Sequence, residues 1–120
     1  MSHERIEAYV DQQTTGAASL PSILMDRLDE IAAICRDFGV QRLWIFGSAV
    51  HGTFDPETSD LDFMVDLGEY EPTVARRYVR FYDALRNLFG RQIDLITTRT
   101  NAKGHFLEDV IATREMIYAA

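Results

Sequence analysis

Five residues have the types and spacing that phosphate chemistry needs. Gly47 and Ser48 stand at the exit of an apolar run, Leu43 to Phe46; Asp60 and Asp62 flank Leu61 at the head of a second run; Asp94 lies between Ile93 and Leu95 in a third. Residues two apart on a strand point the same way, so the carboxylates of Asp60 and Asp62 share a face. With Asp94 on an adjoining strand, three acids converge on one patch. Such acids repel one another unless something positive lies between them, and a lone carboxylate among apolar neighbours is costly to bury. Hard divalent cations such as Mg²⁺ prefer carboxylate oxygens and complete their shells with substrate phosphates. Two ions held this way can activate an attacking hydroxyl and steady a departing pyrophosphate. Gly47 lets the backbone approach a phosphate closely, and the Ser48 hydroxyl and the following N–H groups can donate to its oxygens. Alone, Gly-Ser is a common turn; set among the acids and apolar runs, it points to a phosphate tail with its metal ions.

Short elements must position these groups. Pro21-Ser22 opens a helix in which Leu24, Leu28, Ile31, Cys35 and Phe38 form one apolar stripe, with Gly39 as its left-handed cap. Gln41–Phe46 reads as a buried strand with Trp44 and Phe46 on one face. Residues 47–59 read as a loop or short helical turn, with Gly52 and Pro56 as breakers. Leu61–Leu67 is a second strand, placing Leu61, Phe63, Val65 and Leu67 opposite Asp60, Asp62, Met64 and Asp66. Pro72 starts a helix with Val74, Tyr78, Phe81, Leu85 and Leu88 on its stripe, and Gly90 stops it. Arg91–Thr97 is a third strand, with Ile93 and Leu95 opposite Gln92, Asp94 and Ile96. Residues 98–103 are turn-like. Phe106, Leu107, Val110 and Ile111 make a last short helix, and Met116-Ile117-Tyr118 adds an edge strand. The order predicts an α+β fold, an α/β sandwich with helices packed on a small mixed sheet.

The 120-residue chain is one domain by size, with room for a single modest core. Residues 1–20 read as a loosely held arm with a short helix from Glu4 to Val10, leaving residues 21–120 as the folded domain. No apolar run is long enough to span a bilayer, and the polar N-terminus lacks a signal core, so neither a membrane nor secretion is expected. The one cysteine, Cys35, excludes an internal disulfide and agrees with a reducing cytoplasm. A net charge of −7 argues against broad nucleic-acid binding.

These residues resemble the minimal nucleotidyltransferase family, a branch of the polymerase-β-like superfamily. Its signature is a hydrophobic residue and Gly-Ser, a spacer of about ten residues, Asp-hydrophobic-Asp in a strand, and a later strand Asp. Phe46-Gly47-Ser48, eleven residues, Asp60-Leu61-Asp62 and Ile93-Asp94-Leu95 match it. The resemblance implies that Gly47 and Ser48 hold a nucleoside triphosphate, that Asp60 and Asp62 ligate two Mg²⁺ ions, and that Asp94 is both ligand and general base. It implies AMP transfer from ATP to a hydroxyl acceptor. Many relatives carry arginines just after Gly-Ser, where this chain has Ala49, Val50 and His51. Larger relatives add an acceptor-gripping domain. Its absence points to a protein acceptor: a tyrosine of a HEPN ribonuclease toxin, with this chain as antitoxin in a hetero-oligomer. Two alternatives are a non-catalytic antitoxin that masks its partner and a small-molecule transferase of the aminoglycoside type.

Other groups read more plainly. Asp66 is taken as a solvated strand-end acid rather than a fourth ligand. Arg76, Arg77, Arg80 and Arg86 read as a solvated helix face, with an acceptor-docking patch as the alternative. His51 reads as an exposed loop histidine, with a phosphate contact as the alternative. Lys103 and His105 sit in a loop without a motif. Cys35 and Tyr118 are expected to be packed side chains.

Overall fold

A computed structural model describes residues 20–100 and 104–120. The expected arm, its Glu4–Val10 helix and Lys103 therefore lie outside the described residues, apart from Leu20, which is buried in the core. The elements run α1 (Ser22–Met25), α2 (Leu28–Asp37), β1 (Arg42–Phe46), α3 (Ser48–His51), β2 (Leu61–Asp66), α4 (Val74–Phe89), β3 (Ile93–Thr97), α5 (His105–Thr113) and β4 (Glu115–Ala119). The sheet order is β3-β2-β1-β4. Strand β1 pairs antiparallel with β2 and β4, while β2 and β3 are parallel. Parallel neighbours need a crossover, and α4 supplies it. The mixed sheet, the packed helices and the β4 edge strand agree with the sequence reading.

The stripe from Leu24 to Phe38 predicts one helix, but the backbone divides it at Asp26 and Arg27. There the Arg27 N–H donates to the Leu24 carbonyl at 3.0 Å, a tighter bond than the α-helical one. The stripe survives the division, since Leu24, Ile31 and Cys35 are fully buried. Strand β3 begins at Ile93 rather than Arg91, because the Arg91 guanidinium turns back to the carbonyls of Ser59 and Pro56.

One modest core is expected, and the sheet instead buries apolar groups on both faces. On one face Ile31 and Cys35 of α2 and Phe81 and Leu85 of α4 close over Leu43, Ile45, Phe63 and Val65. On the other, Val110 of α5 packs with Trp44, Phe46 and Met64. The central strands β1 and β2 are covered on both sides, which is why they read as nearly continuous apolar runs.

Arg77 departs from the solvated helix face assigned to it. Its guanidinium donates to the Phe38 carbonyl at 2.9 Å and to the Leu67 carbonyl at 3.1 Å, and it pairs with Glu71. It ties α4 to the end of α2 and the end of β2. Arg76, Arg80 and Arg86 are exposed, as a solvated face requires. None of the described helices is long and apolar enough to cross a membrane.

Candidate active site

Strand β1 delivers the chain to Gly47, which turns it into α3 with φ of 76° and ψ of −146°. This backbone region is essentially restricted to glycine. Space imposes the same restriction, because a Cβ at Gly47 would lie 3.1 Å from Asp62 Cγ and closer still to Oδ2. The turn closes on itself, with the N–H groups of Val50 and His51 donating to the Gly47 carbonyl at 3.0 and 3.1 Å. Ala49 is buried and Val50 packs on the core, so neither place has room for a solvated cation. His51 is exposed and borders the cleft described below.

Register brings two acids face to face. Phe46 opposes Asp62 across the antiparallel pair, and Asp62 opposes Asp94 across the parallel pair. Asp62 is half-buried; Asp94, on an edge strand, is exposed. Burial first, then a hydrogen bond with Asp94, then the charges of Asp94 and Asp60, push the Asp62 carboxyl up to about 7. Near neutral pH it is thus part protonated and donates to Asp94. The Tyr78 hydroxyl steadies the neighbouring backbone by donating to the Leu95 carbonyl at 2.5 Å.

Asp60 is placed differently from the other two. It stands one residue before β2 and acts on Asp62 through its charge, but it does not line the cleft. Among the described residues no three His, Cys, Asp or Glu side chains form a ready metal cluster. The three-acid patch expected from spacing is therefore a facing pair with a third acid at its margin, because the strand begins only at Leu61. The donors nonetheless fit a hard cation. They are carboxylate oxygens, and a divalent ion between Asp62 and Asp94 would offset their mutual repulsion, which adds to burial in raising the Asp62 carboxyl.

The loop holding Asp60 is tied down. Arg91 donates to the carbonyls of Ser59, at 3.0 Å, and Pro56, and its guanidinium lies 5.3 Å from the Phe54 ring centre. Within the loop, the Asp55 N–H donates to the Ser59 hydroxyl at 2.8 Å and the Glu57 N–H to the Asp55 carboxylate at 2.9 Å.

Asp66 is neither a ligand nor a solvated acid. Arg42 binds it at 2.5 and 3.1 Å, and the Gly68 N–H donates to it at 2.9 Å. Burial works to raise its carboxyl, but these donors outweigh it and hold the group below the usual range. His105 opens α5 rather than lying in a loop, and faces Glu108 at 3.5 Å. Cys35 and Tyr118 are packed, as expected.

A cleft of about 410 Å³ opens beside the facing acids. Gly47, His51, Asp62 and Asp94 border it from the sheet side, and Phe106, Asp109, Val110 and Thr113 of α5 form its far wall. Sequence reading gave α5 only as a last short helix and missed this wall. A signal was present: residues 106, 109, 110 and 113 recur at helical spacing and mix apolar with polar types, which a purely buried face does not.

The sequence matches the family described as nucleotidyltransferase domain over residues 28–118. Among curated proteins no significant match is found. A solved structure of a candidate minimal nucleotidyltransferase is similar at 27% identity and a TM-score of 0.61, covering 76% of this chain and 89% of that one. A toxin–antitoxin structure with AMP-PNP is similar at 22% identity and a TM-score of 0.58, covering 78% and 73%. A structure of tri-AMPylated Shewanella oneidensis HEPN toxin in complex with MNT antitoxin matches at 19% identity and a TM-score of 0.56, covering 80% and 72%.

Proposed function

The chain belongs to the nucleotidyltransferase domain family, and we propose that within it this protein transfers AMP from ATP to a tyrosine hydroxyl of a HEPN-type toxin, as a cytoplasmic antitoxin. The observation that carries the reading is the facing pair Asp62 and Asp94 at the head of a cleft, with the Gly47 turn pressed against Asp62. The reading takes residues 21–120 as the transferase unit. The toxin–antitoxin neighbours, one with AMP-PNP and one with a tri-AMPylated HEPN toxin, support the choice of donor and acceptor.

In this reading Gly47 and Ser48 receive the triphosphate through backbone N–H groups and the serine hydroxyl. Asp62 and Asp94, with Asp60 at their margin, would hold Mg²⁺, as two ions. When bound, the metal would neutralise phosphate charge and lower the barrier to pyrophosphate departure. Asp94, exposed and facing the cleft, accepts the proton of the acceptor hydroxyl. That oxygen attacks the α-phosphorus, a new P–O bond forms, and the bond to the β-phosphate breaks with release of pyrophosphate.

The test is to incubate the protein with ATP, Mg²⁺ and its candidate toxin partner and record the intact mass of the partner. Mass added in units of one AMP group supports the reading. An unmodified partner sinks it, as does undiminished transfer by the folded Asp60→Ala/Asp62→Ala protein.

A further inference from the structure

We propose that Phe106 is the platform on which the base of the donor nucleotide stacks, making α5 the nucleoside-binding wall of the cleft. This rests on the reading above and assigns its second half, since phosphates and metal account for only one end of the cleft.

The cleft is chemically two-ended. The sheet side carries Gly47, His51, Asp62 and Asp94 beside Phe46 and Ile96; the α5 side carries Phe106 and Val110. Asp109 stands on the α5 wall one helical turn from Phe106. Among the described residues Asp109 has no facing acid with which to share a cation, whereas Asp62 and Asp94 face each other beside the Gly47 turn, so the triphosphate belongs at the Gly47 end and the nucleoside at the α5 end. A flat apolar base needs a flat apolar surface, and Phe106 offers one. The ring is 50% exposed although its neighbour Val110 is buried. It is also held in place, because Phe46 packs against it edge to face, with centroids 6.2 Å apart and planes at 78°. Such a contact engages at most one of the two faces of the ring, and half of the residue remains exposed. Stacking is tolerant of base identity, so this platform supplies affinity for a nucleoside rather than a choice among bases.

The experiment compares binding of ATP and of inorganic tripolyphosphate, each with Mg²⁺, by calorimetry on the unaltered protein, Phe106→Ala and Phe106→Tyr. The unaltered protein is expected to bind both, with ATP the tighter. Phe106→Ala is expected to weaken ATP by about 5- to 150-fold, the range for loss of one base–aromatic stack, and to leave tripolyphosphate unchanged. Phe106→Tyr keeps ATP affinity. The ring protons of Phe106 in the unaltered protein should also move upfield in NMR spectra on adding ATP and stay in place on adding tripolyphosphate. Unchanged ATP affinity in Phe106→Ala overturns the assignment while leaving the transferase reading intact. So does an equal loss for both probes, which would mark Phe106 as support for the phosphate end. An unaltered protein that binds neither probe removes the transferase reading itself, and the platform with it.

Discussion

At the scale of the residue, the Asp62 carboxyl is held near 7 by burial and by Asp94 and Asp60. In the unfolded chain an aspartate titrates near 4. The folded state therefore binds the extra proton between these values, and the stabilisation this group gives is complete below about 4 and lost as pH rises through 7. Metal-free protein should melt at falling temperature between pH 5 and 8, and Asp62→Asn should flatten that slope. Thermal denaturation in a chelator measures it. Asp94→Asn keeps the shape of the site but removes the proton acceptor, so AMP transfer should fall by about 10²–10⁴-fold, measured as the single-turnover rate. Gly47→Ala meets both the backbone restriction and the Asp62 carboxylate. It should cost roughly 1–3 kcal/mol in urea denaturation, and transfer should drop further than that loss of folding explains. Cys35 is fully buried and its thiol is pushed up to about 12 by that burial, so it should resist a thiol reagent at pH 8 until the protein unfolds.

At the scale of the element, α4 is fixed at both faces of its role. Phe81 and Leu85 enter the core, and Arg77 reaches the carbonyls of Phe38 and Leu67. Arg77→Leu should cost about 2 kcal/mol, read from the urea midpoint, because two backbone acceptors lose a charged donor. This residue also marks the limit of what the sequence disclosed. Strands β1, β2 and β3 and helix α4 were legible because burial on a strand or helix face leaves its period in the chain. The pair Asp62 and Asp94 was legible because a carboxylate set mid-strand among apolar neighbours interrupts that period, whereas the place of Asp60 outside β2 was not. The partners of Arg77 were not legible, since they come from two other elements brought close only by folding. The division between α1 and α2 was hidden because the apolar stripe runs through it unbroken. The α5 wall was hidden because Phe106 and Ile111 look like core residues until the fold shows each about half exposed.

At the scale of the whole molecule, the sheet separates structure from chemistry. The face under α2 and α4 holds most of the buried side chains, while the face under α5 combines a smaller apolar cluster with the cleft. Ligands on the second face should therefore stabilise the molecule without remodelling the first. Mg²⁺ with ATP at a hundredfold above its dissociation constant should add about 2.7 kcal/mol, seen as a rise in melting temperature that a chelator abolishes. The pairing of β2 with β3 has a further consequence. Asp62 and Asp94 are separated in the chain by the whole of α4, and they meet only when that crossover has closed in correct register. A slip of one residue would turn Asp94 to the opposite face. A chain still emerging from the ribosome, or one folded out of register, thus lacks the pair altogether. The pair is a property of the finished sheet and of no segment of the chain taken alone.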